Sequence, residues 1–208
     1  MIEPKSDVSI VIFDIGNVLI RWDPRHLYRQ LFDDEAAMEH FLATVCNQAW
    51  NEEQDRGRQF GEGVALLAAA HPGHADLIRA YDERWDEMVP GAIDGSVAVF
   101  EDLRKAGVRT FAITNFSNEK FAVTQQRFPF LGSFEDIVVS AREGLMKPEP
   151  AIYHRLLDRN GLSARDCVFI DDSHHNVEGA RAVGMQALHF TDPAKLRTDL
   201  KALGLPGV

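Results

Sequence analysis

Nothing in this 208-residue chain approaches the ~20 consecutive apolar residues of a membrane-crossing helix. A spanning segment is therefore not expected. Cysteine is equally scarce: Cys46 and Cys167 are the only two, far apart and each in apolar surroundings. Two such residues make neither a disulfide framework nor a thiolate metal site, so both read as buried free thiols in a reducing compartment. Positive charge is in deficit, with 22 Lys and Arg against 32 Asp and Glu, a formal charge of −10. That balance disfavours nucleic acid and anionic membranes as partners. It leaves room for a small anion at a local site of opposite sign. Internal repeats and low-complexity segments are missing. The opening "MIEPKSD" is short and polar and does not read as a secretory signal. A cytoplasmic protein, monomeric or homodimeric, is the expectation.

Apolar runs of strand length alternate with helix-period segments over much of the chain. "VSIVIF" (8–13), "VRTFAIT" (108–114), "FEDIVVS" (134–140), "DCVFID" (166–171) and "MQALHF" (185–190) read as strands. Helical patterns fall near 95–106, 118–128, 149–160 and 174–183. Strand–helix alternation predicts an α/β fold with a parallel, Rossmann-like sheet covered on both faces. From about Pro24 to Val89 the alternation stops and only helical patterns remain, with Asp34 a suitable N-cap. The expected organisation is an α/β core, 1–20 and 90–208, with an inserted all-helical cap, 21–89.

In such a sheet, ligands bind beyond the carboxyl ends of the strands, where the strand order reverses. Asp14 ends the first strand, Thr114 and Asn115 the second, Asp171 and Asp172 the fourth, and Lys147 follows the third. Singly, each reads equally as a turn, cap or loop residue. Together they describe one chemistry. Carboxylates from two strand ends hold Mg²⁺, a hard ion. The cation lets a phosphate approach Asp14, whose carboxylate attacks phosphorus. Thr114 and Asn115 donate to phosphoryl oxygens, and Lys147 neutralises the group in transit.

"FDIGNVL", "ITN", "GLMKPEPAIY" and "FIDDSHHNVEGARAVGM" resemble, in order and placement, the four motifs of the haloacid dehalogenase-like hydrolase superfamily. The insert resembles that of its helical-cap subclass. The first motif is most similar to bacterial sugar-phosphate phosphatases with Asp-x-Gly-Asn. The resemblance implies Asp14 as nucleophile, Thr114 as phosphate ligand and Lys147 as stabilising lysine. It implies metal ligation by Asp14, the Gly16 carbonyl and Asp172, with Asp171 a lesser ligand or a lysine partner. Asn176 stands where many members carry another acid. Gly16 is the departure: many of these phosphatases have an aspartate there as general acid/base, a contribution of ~10²–10⁴-fold. His174 and His175 are conceivable substitutes, or surface residues at a helix start.

The function implied is Mg²⁺-dependent hydrolysis of a small phosphorylated metabolite, a sugar phosphate among the options, through an aspartyl-phosphate. A metal-independent 2-haloacid dehalogenase and an inactive ligand-binding or regulatory protein are the alternatives. In the cap, "WNEEQDRG" offers Trp50 and Arg56 as contacts to substrate hydroxyls or a second anion. The other reading of that stretch is a packed Trp50 and a solvated helix face. Trp22 either faces the substrate or packs.

Overall fold

The structure is a computed structural model and describes residues 8–208; the polar stretch read above against a secretory signal lies outside the described residues. The chain enters the sheet with β1 (Ile10–Phe13) and then runs through α1 (Arg25–Tyr28), α2 (Glu35–Thr44), α3 (Gln48–Asp55), α4 (Phe60–Ala70) and α5 (Ala75–Glu83). The α/β alternation follows: α6 (Asp94–Lys105), β2 (Arg109–Thr114), α7 (Asn118–Arg127), β3 (Ile137–Val139), α8 (Ser140–Glu143), α9 (Pro150–Asn160), β4 (Cys167–Asp171), α10 (His174–Ala182), β5 (Gln186–His189) and α11 (Pro193–Ala202).

The five strands form one parallel sheet in the order β3-β2-β1-β4-β5. Strand order reverses between β1 and β4, so the crevice lies at their carboxyl ends. Strand side chains alternate between faces. Val11 and Phe13 join one apolar cluster, while Ile10 and Ile12 join another with Phe111, Ile113, Tyr153 and Phe169. A strand buried on both faces reads as an unbroken apolar run, which is why "VSIVIF" has no polar alternation.

The segment between β1 and α6 is helical, apart from turns and bridges. Asp34 caps α2 by accepting from the N–H groups of Ala36 and Ala37, as its sequence context predicts. Asn47 caps α3 at the Trp50 N–H, 2.8 Å away. These helices pack around aromatic residues: Tyr28 against Phe41, ring centroids 5.1 Å apart, and Trp50 edge-on to Tyr81 at 5.0 Å. Their apolar interior is continuous with one face of the sheet. Cys46 and Cys167 are both free and buried. Among the described residues no helix is long and apolar enough to cross a membrane.

One close approach positions the site. A Cβ at Gly179, on α10, would lie 2.6 Å from the Pro148 carbonyl oxygen and 2.9 Å from the Tyr153 hydroxyl. Only a glycine lets α10 seat against the turn that follows Lys147. Gly179→Ala is expected to cost ~1–3 kcal/mol through overpacking, read as a lower urea midpoint at unchanged slope.

Candidate active site

Asp14 follows β1 directly. Its N–H donates to the Ile170 carbonyl at 2.8 Å, extending the β1–β4 ladder by one residue. Its Oδ1 accepts the Ile15 N–H at 2.7 Å. The Lys147 ammonium lies 2.7 Å from Asp14 Oδ1 and 2.7 Å from Asp171 Oδ2, with all three residues buried. Asp171 is fully engaged: its carboxylate also accepts from the Ser173 N–H at 2.8 Å and from the Asn176 amide at 3.0 and 3.1 Å. It therefore orients the lysine, and Asn176 orients Asp171. Burial works against the charge on Lys147, but Asp14 and Asp171 outweigh it and hold the ammonium above its ordinary pKa.

Asn115 holds the same lysine from the other side. Its Nδ2 donates to the Lys147 carbonyl at 3.0 Å and its Oδ1 accepts the Lys147 N–H at 2.9 Å. One N–H and the oxygen of this amide thus clamp the backbone of the lysine, and Asn115 also lines the cleft described below. Thr114 is buried at the end of β2. The turn after Asp14 is tight: Asn17 adopts φ 53°, a left-handed conformation asparagine tolerates, and its Oδ1 accepts the Trp22 N–H at 2.9 Å. Bonds on either side of Gly16 use the Ile15 carbonyl and the Asn17 N–H, so the Gly16 carbonyl stands outside them.

One carboxylate oxygen each from Asp14, Asp171 and Asp172 lie within 4.8 Å of one another. Three acids against one ammonium leave an uncompensated negative charge. Burial pushes the Asp14 carboxyl up to about 8; Lys147 opposes that rise, while Asp171 and Asp172 add to it. Burial and Asp171 likewise raise Asp172. A divalent cation would reverse both shifts. Both oxygens of Asp171 already accept hydrogen bonds, so within this cluster Asp14 and Asp172 have the freer oxygens for a hard ion.

Above these groups opens a cleft of ≈ 530 Å³ bounded by Asp14, Gly16, Asn115 and Asp172 on one side and by cap residues on the other. Trp22 both lines it and packs against the apolar core. Trp50 and Arg56 do not line it. The Trp50 indole turns into the cap, donates to the Gly63 carbonyl at 3.2 Å and packs edge-on to Phe60. Arg56 is ion-paired with Glu149 at 2.9 Å. His174 stacks on His189 with centroids 3.7 Å apart, and both His174 and His175 are exposed outside the cleft lining.

The residues of the helical segment that do line the cleft include Asn47, Gln48, Asn51, Glu52 and Asp55. Helical spacing explains the set. Positions 47, 51 and 55 share one face of α3, joined by 48 and 52, whereas Trp50 and Gln54 share the buried face. Periodicity within "NQAWNEEQD" was the available signal for this division. Asp55 accepts the Asn51 amide at 3.0 Å, and Asn51 in turn accepts the Tyr81 hydroxyl at 3.1 Å. Burial pushes the Asp55 carboxyl up to about 7, with Glu52 adding to the rise and the Ser117 N–H and Lys147 opposing it.

Fold and site define an α/β protein with a lysine-bridged carboxylate centre at the switch point of its sheet, beneath a helical cover. A family model described as haloacid dehalogenase-like hydrolase matches residues 8–184, and the chain belongs to that family. It is a hydrolase. It is 28% identical over 200 residues to sesquiterpene phosphatase astK of Aspergillus oryzae, covering 92% of this chain and 94% of that protein. It is 32% identical over 109 residues to phosphatase MT3486 of Mycobacterium tuberculosis, 50% of each chain. The HAD family enzyme bt-2542 of Bacteroides thetaiotaomicron shares the fold, with a TM-score of 0.68 at 18% identity over 89% of this chain and 94% of that one.

An acid raised by burial binds its proton more tightly in the folded state than in the unfolded one, so it destabilises the fold as pH rises above the ordinary carboxylate range. For Asp55 the penalty grows between about 4 and about 7 and then levels off. Asp55→Asn is expected to match the parent near pH 4 and to exceed it by up to ~4 kcal/mol at pH 8, measured by urea unfolding across that range.

Proposed function

We propose that this hydrolase is a Mg²⁺-dependent phosphatase of small phosphomonoesters that works through an aspartyl-phosphate on Asp14. The observation that carries the reading is the Lys147 ammonium set between Asp14 and Asp171, 2.7 Å from each, with Asp172 alongside. Bound Mg²⁺, held by Asp14, Asp172 and the Gly16 carbonyl, supplies the positive charge that lets a phosphate dianion meet a carboxylate. Asp14 then attacks phosphorus while Lys147, fixed by Asp171 and Asn115, keeps it ionised and in place. Thr114 contributes a hydroxyl at the end of the neighbouring strand. The relatives named as phosphatases support this chemistry, as does the Bacteroides enzyme, which has been solved with magnesium and inorganic phosphate.

The substrate body is neutral on this reading. Arg25, the cation lining the cleft, is paired with Glu39 through bonds of 2.5 and 2.7 Å, and Arg56 is paired outside it. Trp22, Leu42, Ala43 and Cys46 provide an apolar wall; Asn47, Gln48 and Asn51 provide amides. A sugar phosphate and a prenyl phosphate both present suitable surfaces. The same pairing disfavours a haloacid, whose carboxylate would meet Asp172 with no unpaired cation among the described residues that line the cleft.

The test is release of inorganic phosphate from p-nitrophenyl phosphate and from a panel of sugar and prenyl phosphates, with and without Mg²⁺. Activity is expected to require the metal and to fall by on the order of 10⁴-fold or more in Asp14→Asn. Turnover that survives either change sinks the reading, and halide release from 2-haloacids without metal replaces it with dehalogenation.

A further inference from the structure

Gly16 leaves the proposed reaction without the carboxylic acid that would protonate a leaving oxygen from that position. The space for such a group is present: a Cβ built at Gly16 meets nothing within 4 Å. Gly16 and Asp55 line the large cleft together, and they also share a smaller ≈ 90 Å³ extension of it with Trp22, Asn51 and Asn115. The opening left by the glycine is therefore continuous with the space beside Asp55 on α3. We propose that Asp55 is the general acid and base of the reaction, supplied by α3 in place of the side chain missing at position 16. The proposal rests on the phosphatase reading above.

Other acids at the cleft are placed or engaged differently. Glu39 is bound to Arg25, Asp171 holds Lys147, Asp14 and Asp172 are the nucleophile and the metal ligand on the proposed reading, and Glu52 does not line the smaller extension that Asp55 shares with Gly16. Asp55 has no Lys or Arg ion-paired with it among the described residues. Its neighbours are Asn51 and Glu52 on its own helix, Tyr81 from α5, the Ser117 N–H at the start of α7, and the more distant charge of Lys147. A carboxyl so placed keeps a proton near neutrality.

It is also anchored to the sheet end. The Asp55 carbonyl accepts the Ser140 hydroxyl, which in turn accepts the Phe116 N–H at 2.9 Å. Two residues on, Gly57 takes φ +117°, and a Cβ there would lie 3.1 Å from the Ala141 carbonyl. The C-terminal turn of α3 is thereby seated on α8, and core contacts set where Asp55 sits.

The steps balance. A carboxylate oxygen of Asp14 forms a bond to phosphorus as the bond from phosphorus to the ester oxygen breaks; that oxygen keeps the electron pair and takes the Asp55 proton, leaving as the alcohol. Asp55, now a carboxylate, takes a proton from water as the water oxygen bonds to phosphorus. The bond to Asp14 breaks, its electrons return to the aspartate, and phosphate departs with Asp55 protonated again.

Asp55→Asn and Asp55→Ala, checked for native folding by circular dichroism, are compared with the parent on p-nitrophenyl phosphate and on a simple alkyl phosphate in saturating Mg²⁺. Alkyl phosphate turnover is expected to fall ~10²–10⁴-fold. On p-nitrophenyl phosphate, whose leaving group needs no proton, the first step should stay within a few-fold of the parent. A burst of nitrophenolate should then appear as phospho-Asp14 accumulates for want of a base. Asp55→Glu, or Gly16→Asp placed in Asp55→Asn, should restore alkyl turnover at least in part. Equal losses on both substrates without a burst, or no loss on either, would overturn the assignment while leaving the phosphatase reading intact. A parent inactive on both substrates defeats the phosphatase reading itself.

Discussion

The Lys147 ammonium between two buried carboxylates is the contact on which the rest of the site depends. Asp14 and Asp171 end adjacent strands, β1 and β4, and their negative charges would repel at that distance in a low-dielectric interior. One lysine, 2.7 Å from each, makes the pair tolerable. A buried pair that loses one partner leaves a charge uncompensated, at a cost of ~3–5 kcal/mol. The surroundings are arranged accordingly. Asn115 bonds both backbone groups of Lys147, Ser173 and Asn176 satisfy the remaining oxygens of Asp171, and Gly179 lets α10 close against the turn beyond the lysine. Groups from β2, β4 and α10 thus hold in place a residue that belongs to a loop.

This bracing explains why an asparagine follows Thr114. A planar amide suits both a phosphate ligand, which needs only its donor, and a loop clamp, which uses its donor and its acceptor. Sequence alone does not distinguish them, because the difference is whether Lys147 has its backbone N–H and C=O turned toward β2. Asp171 and Asp172 divide along the same line. Adjacent strand-end residues point to opposite sides, so one acid turns inward to the lysine and the other stays accessible for an ion.

The core was legible because its physics is periodic and local. Continuous apolar runs marked strands buried on both faces, and polar residues at their ends marked the crevice; β1, β2, β3, β4 and β5 all fall within the runs that predicted them. The segment between β1 and α6 was legible as helices but not as a surface. Trp50 and Arg56 stand out in "WNEEQDRG" by chemical type, yet the helix turns one inward and leaves the other bonded to Glu149. The less conspicuous Asn51 and Asp55 face the cleft. A four-residue period separates the two sets, but which face is buried is decided by the packing of Trp50 on Phe60, Gly63 and Tyr81 of the following helices, contacts that the period alone does not specify.

The docking of α3 on α8 also bears on how the proposed role of Asp55 could be served from a helix outside the sheet. A catalytic carboxyl must keep a fixed distance from the atom it serves, and a cover that only encloses the substrate cannot guarantee it. Here the last turn of α3 is joined to Ser140, which follows β3 and also bonds the backbone after β2. The same strand ends that place Lys147 and Asn115 therefore place Asp55. A side chain at position 16 would have had its proton within a residue or two of a bound cation, whose charge lowers the pKa of neighbouring acids. On the proposed assignment the carboxyl is borne instead on α3, hydrogen-bonded to the neutral Asn51 amide. It retains the protonated form through burial, and the core is left with the groups that must stay charged.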